Sequence, residues 1–480
     1  MRPTSARLRL VVLSVALAGV AAASVSALGA PPKQPPPVPS LACAPGSLPE
    51  QVQGRAPLAD VATGRYAKGY TCNVQEISRF GTIGGFRVER YVDLSGNECA
   101  FYDSSSLPGR DLPTQGPAGT GTYVLDMKNP AKPVLASIVR TGAFQSPHET
   151  VRLNQRRGLL VATLSTFATN AGQVDVYDVS KDCRKPELLS SLPVGFLGHE
   201  AGFSPDGLTY WSASLYFRTL VAVDLTEPRL PRTVFTSIDQ YEPHGVSLSD
   251  DGKTLYMAEA EYTNGTRFTG LTILDVSQVQ ARVSNPTVPI VSRLTWRGAS
   301  TPQNATPFTR NGHRYVLETD EFNNGDDIGA ARIIDIQNPK KPFVVSDLRL
   351  AVNQAALQKD LAADPGNDRP FQGYEAHYCT LPSRVDPYIV ACSFLMSGLR
   401  VFDISDVRRP KQIAYHNRPL PPGVSSEPAR AGSSTFAAPA YDEATGDIWY
   451  SDATSGFYVV RLAGPARRPK FAASIVNPGN

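Results

Sequence analysis

The chain has 480 residues, of which 41% are hydrophobic and 19% charged, a length that suits several ordinary domains or one large closed β architecture. Its formal charge of +3 equals the charge of three arginines near the start, so the rest of the chain is close to neutral. This charge balance gives no support for nucleic acid or an anionic membrane as a partner. Beyond the N-terminal segment, no stretch approaches the roughly 20 apolar residues that a membrane-spanning helix needs.

The N-terminal segment has the pattern of an export signal. Arg2, Arg7 and Arg9 precede a short apolar run at residues 10–23, and small residues follow it. We therefore predict a signal peptide over residues 1–30 and a monomeric mature protein that is secreted, periplasmic or attached to the cell envelope. Prolines are dense between residues 31 and 40, which predicts an extended linker over residues 31–68.

A short apolar strand that ends in aspartate and is followed by a proline-marked turn recurs along the remaining chain. The aspartate can bond back to its own turn, and proline prevents the strand from continuing. The repeats are spaced by about fifty to seventy residues, which is the length of a four-stranded propeller blade. They end at Asp126, Asp178, Asp224, Asp275, Asp335 and Asp403, with Arg461 in a last, degenerate copy.

Tight hairpin signals precede several of these strands, for example at Asp206-Gly207 and Asp251-Gly252. Together the two patterns predict an all-β fold, a seven-bladed β-propeller of four-stranded blades over residues 69–480. The blades are expected at about 69–140, 141–193, 194–238, 239–294, 295–350, 370–417 and 430–476, with an insertion at about 351–369.

The repeated strands resemble LVIVD repeats, and the chain is similar to secreted bacterial LVIVD-repeat propeller proteins over nearly all of its mature length. The resemblance implies a propeller fold and export from the cytoplasm. It implies no particular activity, because propellers host binding, catalytic and scaffolding roles alike.

Four of the six histidines occupy one register, at the start of the predicted innermost strand of a blade. Innermost strands surround the central channel, so side chains at equivalent positions form a ring. Neutral imidazoles in such a ring can converge on a transition-metal ion such as Fe, Cu, Zn or Mn. The predicted metal ligands are His148, His199, His244 and His377.

A glutamate lies close in sequence to each of these histidines, and carboxylates commonly accept the second N–H of a metal-bound imidazole. Glu149, Glu200, Glu242 and Glu375 are predicted to take this role. In the other blades the equivalent places fall near Gln303, Tyr70 and Thr435, which we expect to line the channel and leave coordination positions open. The layout is similar to the four-histidine iron sites of propeller oxygenases and to the histidine-bearing propellers of the selenium-binding-protein and methanethiol-oxidase group.

The competing interpretation is structural, because a histidine can recur among related repeats simply by packing well. His313 and His416 fall outside the register and are predicted to be solvated. An acidic cluster around residues 318–327, which includes Glu321, matches no calcium-binding loop and is predicted to be a solvated hairpin.

Six cysteines in an exported chain favour disulfides. Two of them flank a short turn, as suits neighbouring strands, and a second pair has the same arrangement in the first blade. The predicted pairs are Cys379–Cys392, Cys72–Cys99 and Cys43–Cys183.

Two functional hypotheses follow. The first is a secreted, metal-dependent oxidoreductase or lyase that acts on a small molecule. The second is a non-enzymatic extracellular or cell-envelope module that binds a protein or glycan on one face of the propeller. An enzyme without a metal is a third interpretation, supported only by the versatility of the fold.

Overall fold

The computed structural model describes residues 34–104, 120–165, 172–261, 268–367, 372–422, 431–442 and 444–467. It confirms the predicted architecture, because seven antiparallel four-stranded sheets form the blades of a seven-bladed β-propeller. The predicted signal peptide at residues 1–30 lies outside the described residues. Within the described ranges, no helix has the length and apolar character needed to cross a membrane.

Two strands, β1 (Tyr70–Cys72) and β2 (Val74–Phe80), precede the first blade. Blade I contains β3–β6 at Val88–Val92, Glu98–Asp103, Thr122–Asp126 and Val134–Val139. Blade II contains β7–β10 at Arg152–Asn154, Leu159–Thr163, Val174–Asp178 and Glu187–Leu192. Blade III contains β11–β14 at Glu200–Phe203, Thr209–Ser214, Thr219–Asp224 and Arg232–Ile238. Blade IV contains β15–β18 at Pro243–Leu248, Thr254–Glu259, Gly270–Asp275 and Ile290–Leu294.

Blade V contains β19, β20, β23 and β24 at Thr301–Arg310, His313–Glu321, Ala331–Asp335 and Phe343–Leu348, with a small ribbon of β21 (Asn323–Asn324) and β22 (Asp327–Ile328). Blade VI contains β25–β28 at Ala376–Thr380, Ile389–Phe394, Gly398–Asp403 and Lys411–Asn417. Blade VII contains β29–β31 at Ala440–Asp442, Asp447–Asp452 and Gly456–Leu462. The described helices are single turns, at Ala59–Ala62, Tyr66–Lys68, Gly142–Gln145, Ser277–Gln280, Ala351–Asn353, Ala355–Leu357, Gln358–Leu361, Leu395–Ser397 and Gly464–Ala466.

The repeated aspartates end their strands in the way the sequence predicts. In each of the first six blades the carboxylate accepts the backbone N–H two residues later, for example Asp178 from Ser180 at 2.7 Å and Asp224 from Thr226 at 3.0 Å. The same bond forms at Asp126, Asp275, Asp335 and Asp403. The same hydrogen bond between the aspartate side chain and the backbone thus marks the end of the third strand in each of the first six blades.

The core lies between neighbouring blades. Val161 and Val176 of blade II, for example, are fully buried in one cluster with Phe203 and Val221 of blade III. The third strand of blade III is buried along its whole length, whereas the outermost strand of blade II is largely exposed. Both faces of an inner strand are covered by adjacent sheets, which is why these strands read as continuous apolar runs.

The ring closes with strands from both ends of the propeller. Strand β2 pairs antiparallel with β31 and supplies the outermost strand of blade VII, while β1 adds a fifth strand to blade VI by pairing with β28. The predicted first blade was therefore wrong at its start, because residues 70–80 belong to the last two blades and the innermost strand of blade I is β3.

The predicted linker at residues 31–68 is packed against the propeller over its described part. Val38 donates its backbone N–H to the carbonyl of Arg349, and Ser40 forms a β-bridge with Gln412. Ala56 and Tyr66 are fully buried.

Two of the three predicted disulfides differ from those in the structure. Cys379–Cys392 forms as predicted, across β25 and β26. The other pairs are Cys43–Cys72 and Cys99–Cys183, because β1 lies on blade VI and far from the strand of Cys99 in blade I.

Candidate metal site

The four histidines in the common register all lie at the inner ends of their blades and are buried. His148 lies four residues before β7, and His199 directly precedes β11. His244 and His377 are the second residues of β15 and β25. None is more than 4% exposed. His148 has a left-handed backbone with φ of 47°, a strained conformation of the kind that concentrates at functional sites.

The imidazoles converge on the carboxylate of Glu149. The distances from Nε2 to the nearer oxygen of Glu149 are 3.1 Å for His377, 3.7 Å for His199, and 3.9 Å for His148 and His244. His148, Glu149 and His199 each place one ligand atom within 4.8 Å of the others. This histidine and glutamate cluster could hold a metal ion.

Two ring nitrogens from different blades lie in close contact. Nε2 of His199 lies 2.8 Å from Nε2 of His244. The Nδ1–H of His244 donates to the backbone carbonyl of Pro302 at 2.9 Å, so its Nε2 carries a lone pair. That lone pair can accept the Nε2–H of His199 or bind a cation that the two rings share.

Backbone carbonyls, rather than the predicted carboxylates, orient two of the rings. His377 donates its Nδ1–H to the carbonyl of Phe436 at 2.8 Å, as His244 does to Pro302. Glu200 instead accepts the backbone N–H of Val246 at 2.7 Å and pairs with Arg87. Glu375 accepts from Asn323 at 3.1 Å, and Glu242 is fully buried directly before β15. Glu149 contacts the imidazoles, and it does so at Nε2 rather than at Nδ1.

A second carboxylate comes from blade V, which contributes no histidine. Glu321 at the end of β20 is 6% exposed. Its two oxygens lie 3.5 Å from Nε2 of His377 and 3.9 Å from Nε2 of His244. The predicted solvated hairpin holds only for residues 323–327, since Glu318 and Asp320 are buried and pair with Arg332.

The electrostatics of the cluster favour one cationic group among the rings. Burial lowers the pKa of His148 to about 4 and also lowers the pKa values of His199 and His244, so these imidazoles are neutral near pH 7. Burial opposes charge on His377 as well, but Glu149 and Glu321 outweigh it and raise its pKa to about 10. A proton on His377 or a metal ion can supply the positive charge that the two carboxylates require.

The three residues that were predicted to line the channel lie in different environments in the structure. Gln303 lies in the site and donates from Nε2 to Glu149 at 2.5 Å. Tyr70 was wrongly placed, because it lies on β1 at the outer edge of blade VI and donates to Asp60 at 2.8 Å. Thr435 donates to Asp452 at 2.8 Å, and its neighbour Phe436 contacts the ring of His377.

A network of hydrogen bonds holds the carboxylate and the backbone carbonyl of Glu149 in place. The hydroxyl of Tyr378 donates to Oε2 of Glu149 at 3.0 Å, the oxygen that also accepts from Gln303. Arg87 donates to the Tyr378 hydroxyl at 3.1 Å and to the backbone carbonyl of Glu149 at 2.8 Å. Both lone pairs of Oε2 are therefore used, and Oε1 is the oxygen that faces His377 and His148.

A small pocket of about 50 Å³ opens onto the cluster. The side chains of His148, His199, His244, Glu149 and Glu321 form its base. Phe86, Leu215, Tyr216 and Phe322 form most of its walls. Tyr216 is 43% exposed and packs edge-on against His199, which places the entrance beside this ring.

Sequence reasoning missed Glu321, Arg87 and Tyr378. Arg87 and Phe86 occupy in blade I the place of the histidines, and correct placement of β3 would have found them. Tyr378 could have been found as the neighbour of a predicted ligand. His416 was predicted to be solvated but is fully buried between Tyr450 and Glu76, at 2.6 Å and 2.9 Å, whereas His313 is partly exposed and pairs with Asp335.

Comparisons with known proteins support the fold and go no further. No protein-family model and no curated protein matches the chain. A solved structure of Kuenenia stuttgartiensis hydrazine synthase is similar with a TM-score of 0.51 at 13% identity, covering 80% of this chain and 97% of that chain. A chain of the mitotic checkpoint complex has a TM-score of 0.48 at 9% identity, covering 82% and 91%. At such identities the likeness is one of fold.

Proposed function

We propose that this protein is an exported LVIVD-type propeller that binds a transition-metal ion at the centre of its ring and uses it on a small molecule. His148, His199, His244 and His377 would hold the ion, with Glu149 or Glu321 as an anionic partner. A bound Fe, Cu, Zn or Mn ion would supply Lewis-acid or redox chemistry at the base of the pocket.

The convergence of four imidazole Nε2 atoms on the buried carboxylates of Glu149 and Glu321 carries the proposal. Nε2 of His199 and Nε2 of His244, from different blades, lie 2.8 Å apart beside these carboxylates. A shared cation stabilises such a grouping of imidazoles around two buried anions. The three disulfides are consistent with an oxidising compartment, where the protein would act after export.

Metal content tests the proposal. Protein purified from an exporting host should contain, or take up on reconstitution, at least about one transition-metal ion per chain, measured by elemental analysis. The double variant His199→Ala, His377→Ala should lose at least about 90% of that metal, because it removes half of the imidazoles. His313→Ala is the matched control, since His313 lies outside the cluster and pairs with Asp335.

The control should keep its full metal content. A wild-type protein that stays metal-free after incubation with Fe, Cu, Zn and Mn would overturn the proposal. So would metal that the double variant retains in full, because the ion would then bind elsewhere.

A further inference from the structure

We infer that the propeller has a second binding site, on the face opposite the histidines, for a small zwitterion with an apolar body. An α-amino acid with an aromatic side chain is the simplest molecule of this class. The inference does not depend on the proposed metal site. It rests on a cavity between blades IV and V, on a buried tyrosine in this cavity, and on the opposite charges of its two walls.

The cavity lies at the other end of the inner strands from the histidines. His244 is the second residue of β15 and Leu248 is its last, so Leu248 lies about 13 Å farther along the strand. Residues 249–251 of the turn after β15 form one wall of the cavity, and β19 and β20 of blade V contribute to the other. The volume of about 290 Å³ is close to the lower end of the roughly 300–1,000 Å³ that is typical of small-molecule sites.

Apolar and aromatic side chains form the base of the cavity. Phe308 on β19 and Ile336, directly after β23, are both buried. Tyr256 on β16 lies beside them and packs in one cluster with Ile336. The cavity can therefore remove the apolar part of a ligand from water.

The hydroxyl of Tyr256 adds a polar group to this base. Only 5% of the residue is exposed, yet its hydroxyl forms no hydrogen bond within the part of the chain that the structure describes. Burial raises the pKa of Tyr256, and the charges of Arg314 and Arg384 oppose this shift, so the hydroxyl keeps its proton and lies near both guanidinium groups. Buried tyrosine hydroxyls usually have a partner, and a ligand that accepts from Tyr256 would supply it.

The two walls carry opposite charges. Arg314 of blade V donates to the backbone carbonyl of Gln337 at 2.6 Å and forms no ion pair with any described residue. Asp251 of blade IV accepts hydrogen bonds within its own turn through Oδ1, and its Oδ2 accepts none from the described ranges. A ligand carboxylate therefore suits Arg314 and Tyr256, and a ligand ammonium suits Asp251.

Arg384 and Asp250 complete the charge balance of the cavity. Arg384 is buried, donates to the carbonyl of Pro307 at 3.0 Å and pairs with Asp250 at 3.3 Å. Two guanidinium groups and two carboxylates thus line the cavity, so its lining has no net charge. A simple anion or a simple cation would leave one wall unmatched, whereas a zwitterion matches both walls.

Isothermal titration calorimetry tests the inference with three compounds that share a phenyl ring. L-Phenylalanine carries both charges, 3-phenylpropanoate lacks the ammonium, and 2-phenylethylamine lacks the carboxylate. Phenylalanine should bind with a Kd below about 1 mM, and the other two should bind at least about tenfold more weakly. Arg314→Gln and Asp251→Asn should each weaken phenylalanine binding at least about tenfold, although asparagine keeps the Oδ1 that accepts bonds in the turn.

Two controls separate this site from other surfaces and from the metal site. Arg229→Gln removes an exposed arginine that pairs with Glu187 outside the cavity, and it should bind phenylalanine as the wild type does. The double variant His199→Ala, His377→Ala should also retain this binding, whereas an amino acid that binds only as a metal ligand would lose it. Absence of phenylalanine binding, equally tight binding of either singly charged compound, full binding by Arg314→Gln, or loss of binding in the histidine variant would overturn the inference.

Discussion

At the scale of single residues, the site depends on how the carboxylate of Glu149 is held among the imidazoles. Tyr378 and Gln303 hydrogen bond to Oε2, which lies 3.7 Å from Nε2 of His199, while Oε1 lies 3.1 Å from Nε2 of His377. Arg87 lies over the ring of Tyr378, 4.5 Å from its centroid, and fixes the tyrosine in turn. Tyr378 is thus a positioning residue that acts on the metal site through Glu149.

Removing this hydroxyl should weaken metal binding without unfolding the protein. Tyr378→Phe removes one of the two hydrogen bonds that hold Oε2 of Glu149, and loss of such a supporting bond typically costs about 10–100-fold in metal affinity. Competition with a chromophoric chelator measures the affinity. Tyr441→Phe is the matched control, because that buried hydroxyl donates to the backbone carbonyl of Thr380 at 2.7 Å and accepts the backbone N–H of Ala391 at 2.8 Å. Equal affinities for the two variants would contradict a positioning role for Tyr378.

At the scale of elements, the innermost strands carry buried charge as well as ligands. Burial raises the pKa of Glu89 on β3 to about 7, although Arg152 and Arg87 oppose this shift. Burial also raises the pKa of Glu200, the first residue of β11, to about 7 against the same two arginines. Each carboxyl therefore keeps a proton in the folded protein at a pH where the unfolded chain has released it.

The contribution of these two carboxyl groups to stability should consequently fall as the pH rises from about 4.5 to 7, because the unfolded state gains by ionising first, whereas the buried histidines with lowered pKa values contribute in the opposite direction. For one glutamate the change is at most about 3 kcal/mol over that range. Urea unfolding at a series of pH values, in the presence of a chelator, measures the slope. Glu89→Gln should remove its share of the slope, whereas an unchanged slope in this variant would show that Glu89 ionises normally.

The inner strands also show how much of the site could be predicted from the sequence alone. The repeated register of the histidines was sufficient to predict that these four side chains lie close together. The roles of the other glutamates could not be predicted, because neighbouring positions on a strand point to opposite faces and a small offset decides between a ring and another blade. The presence of Glu321 in the site could not be predicted, because this residue comes from the second strand of a blade that lacks the histidine.

At the scale of the whole molecule, ring closure joins parts of the chain that are far apart in sequence. The repeat pattern predicted seven blades, because each repeat has its own strand and aspartate turn. It could not predict that β2 completes the last blade, since the pairing of β2 with β31 depends on geometry around the full ring. The exchanged partners of Cys72 and Cys99 have the same cause.

Closure should make the propeller unfold as one unit. Ile77 on β2 packs into the cluster that joins Trp449 of blade VII to Tyr102 of blade I. Ile77→Asp places a charge there and should cost about 2–4 kcal/mol in the free energy of unfolding. Gln75→Asp is the control, because Gln75 is exposed on the same strand. Tryptophan fluorescence, which comes from Trp211 in blade III, Trp296 before blade V and Trp449 in blade VII, should give a transition in urea that coincides with that of far-UV circular dichroism for both variants. Only a closed ring couples opposite blades, so separate transitions in the wild-type protein would contradict ring closure as the source of cooperative unfolding. Equal stability of the Ile77→Asp and Gln75→Asp variants would contradict the role of β2 in closing the ring.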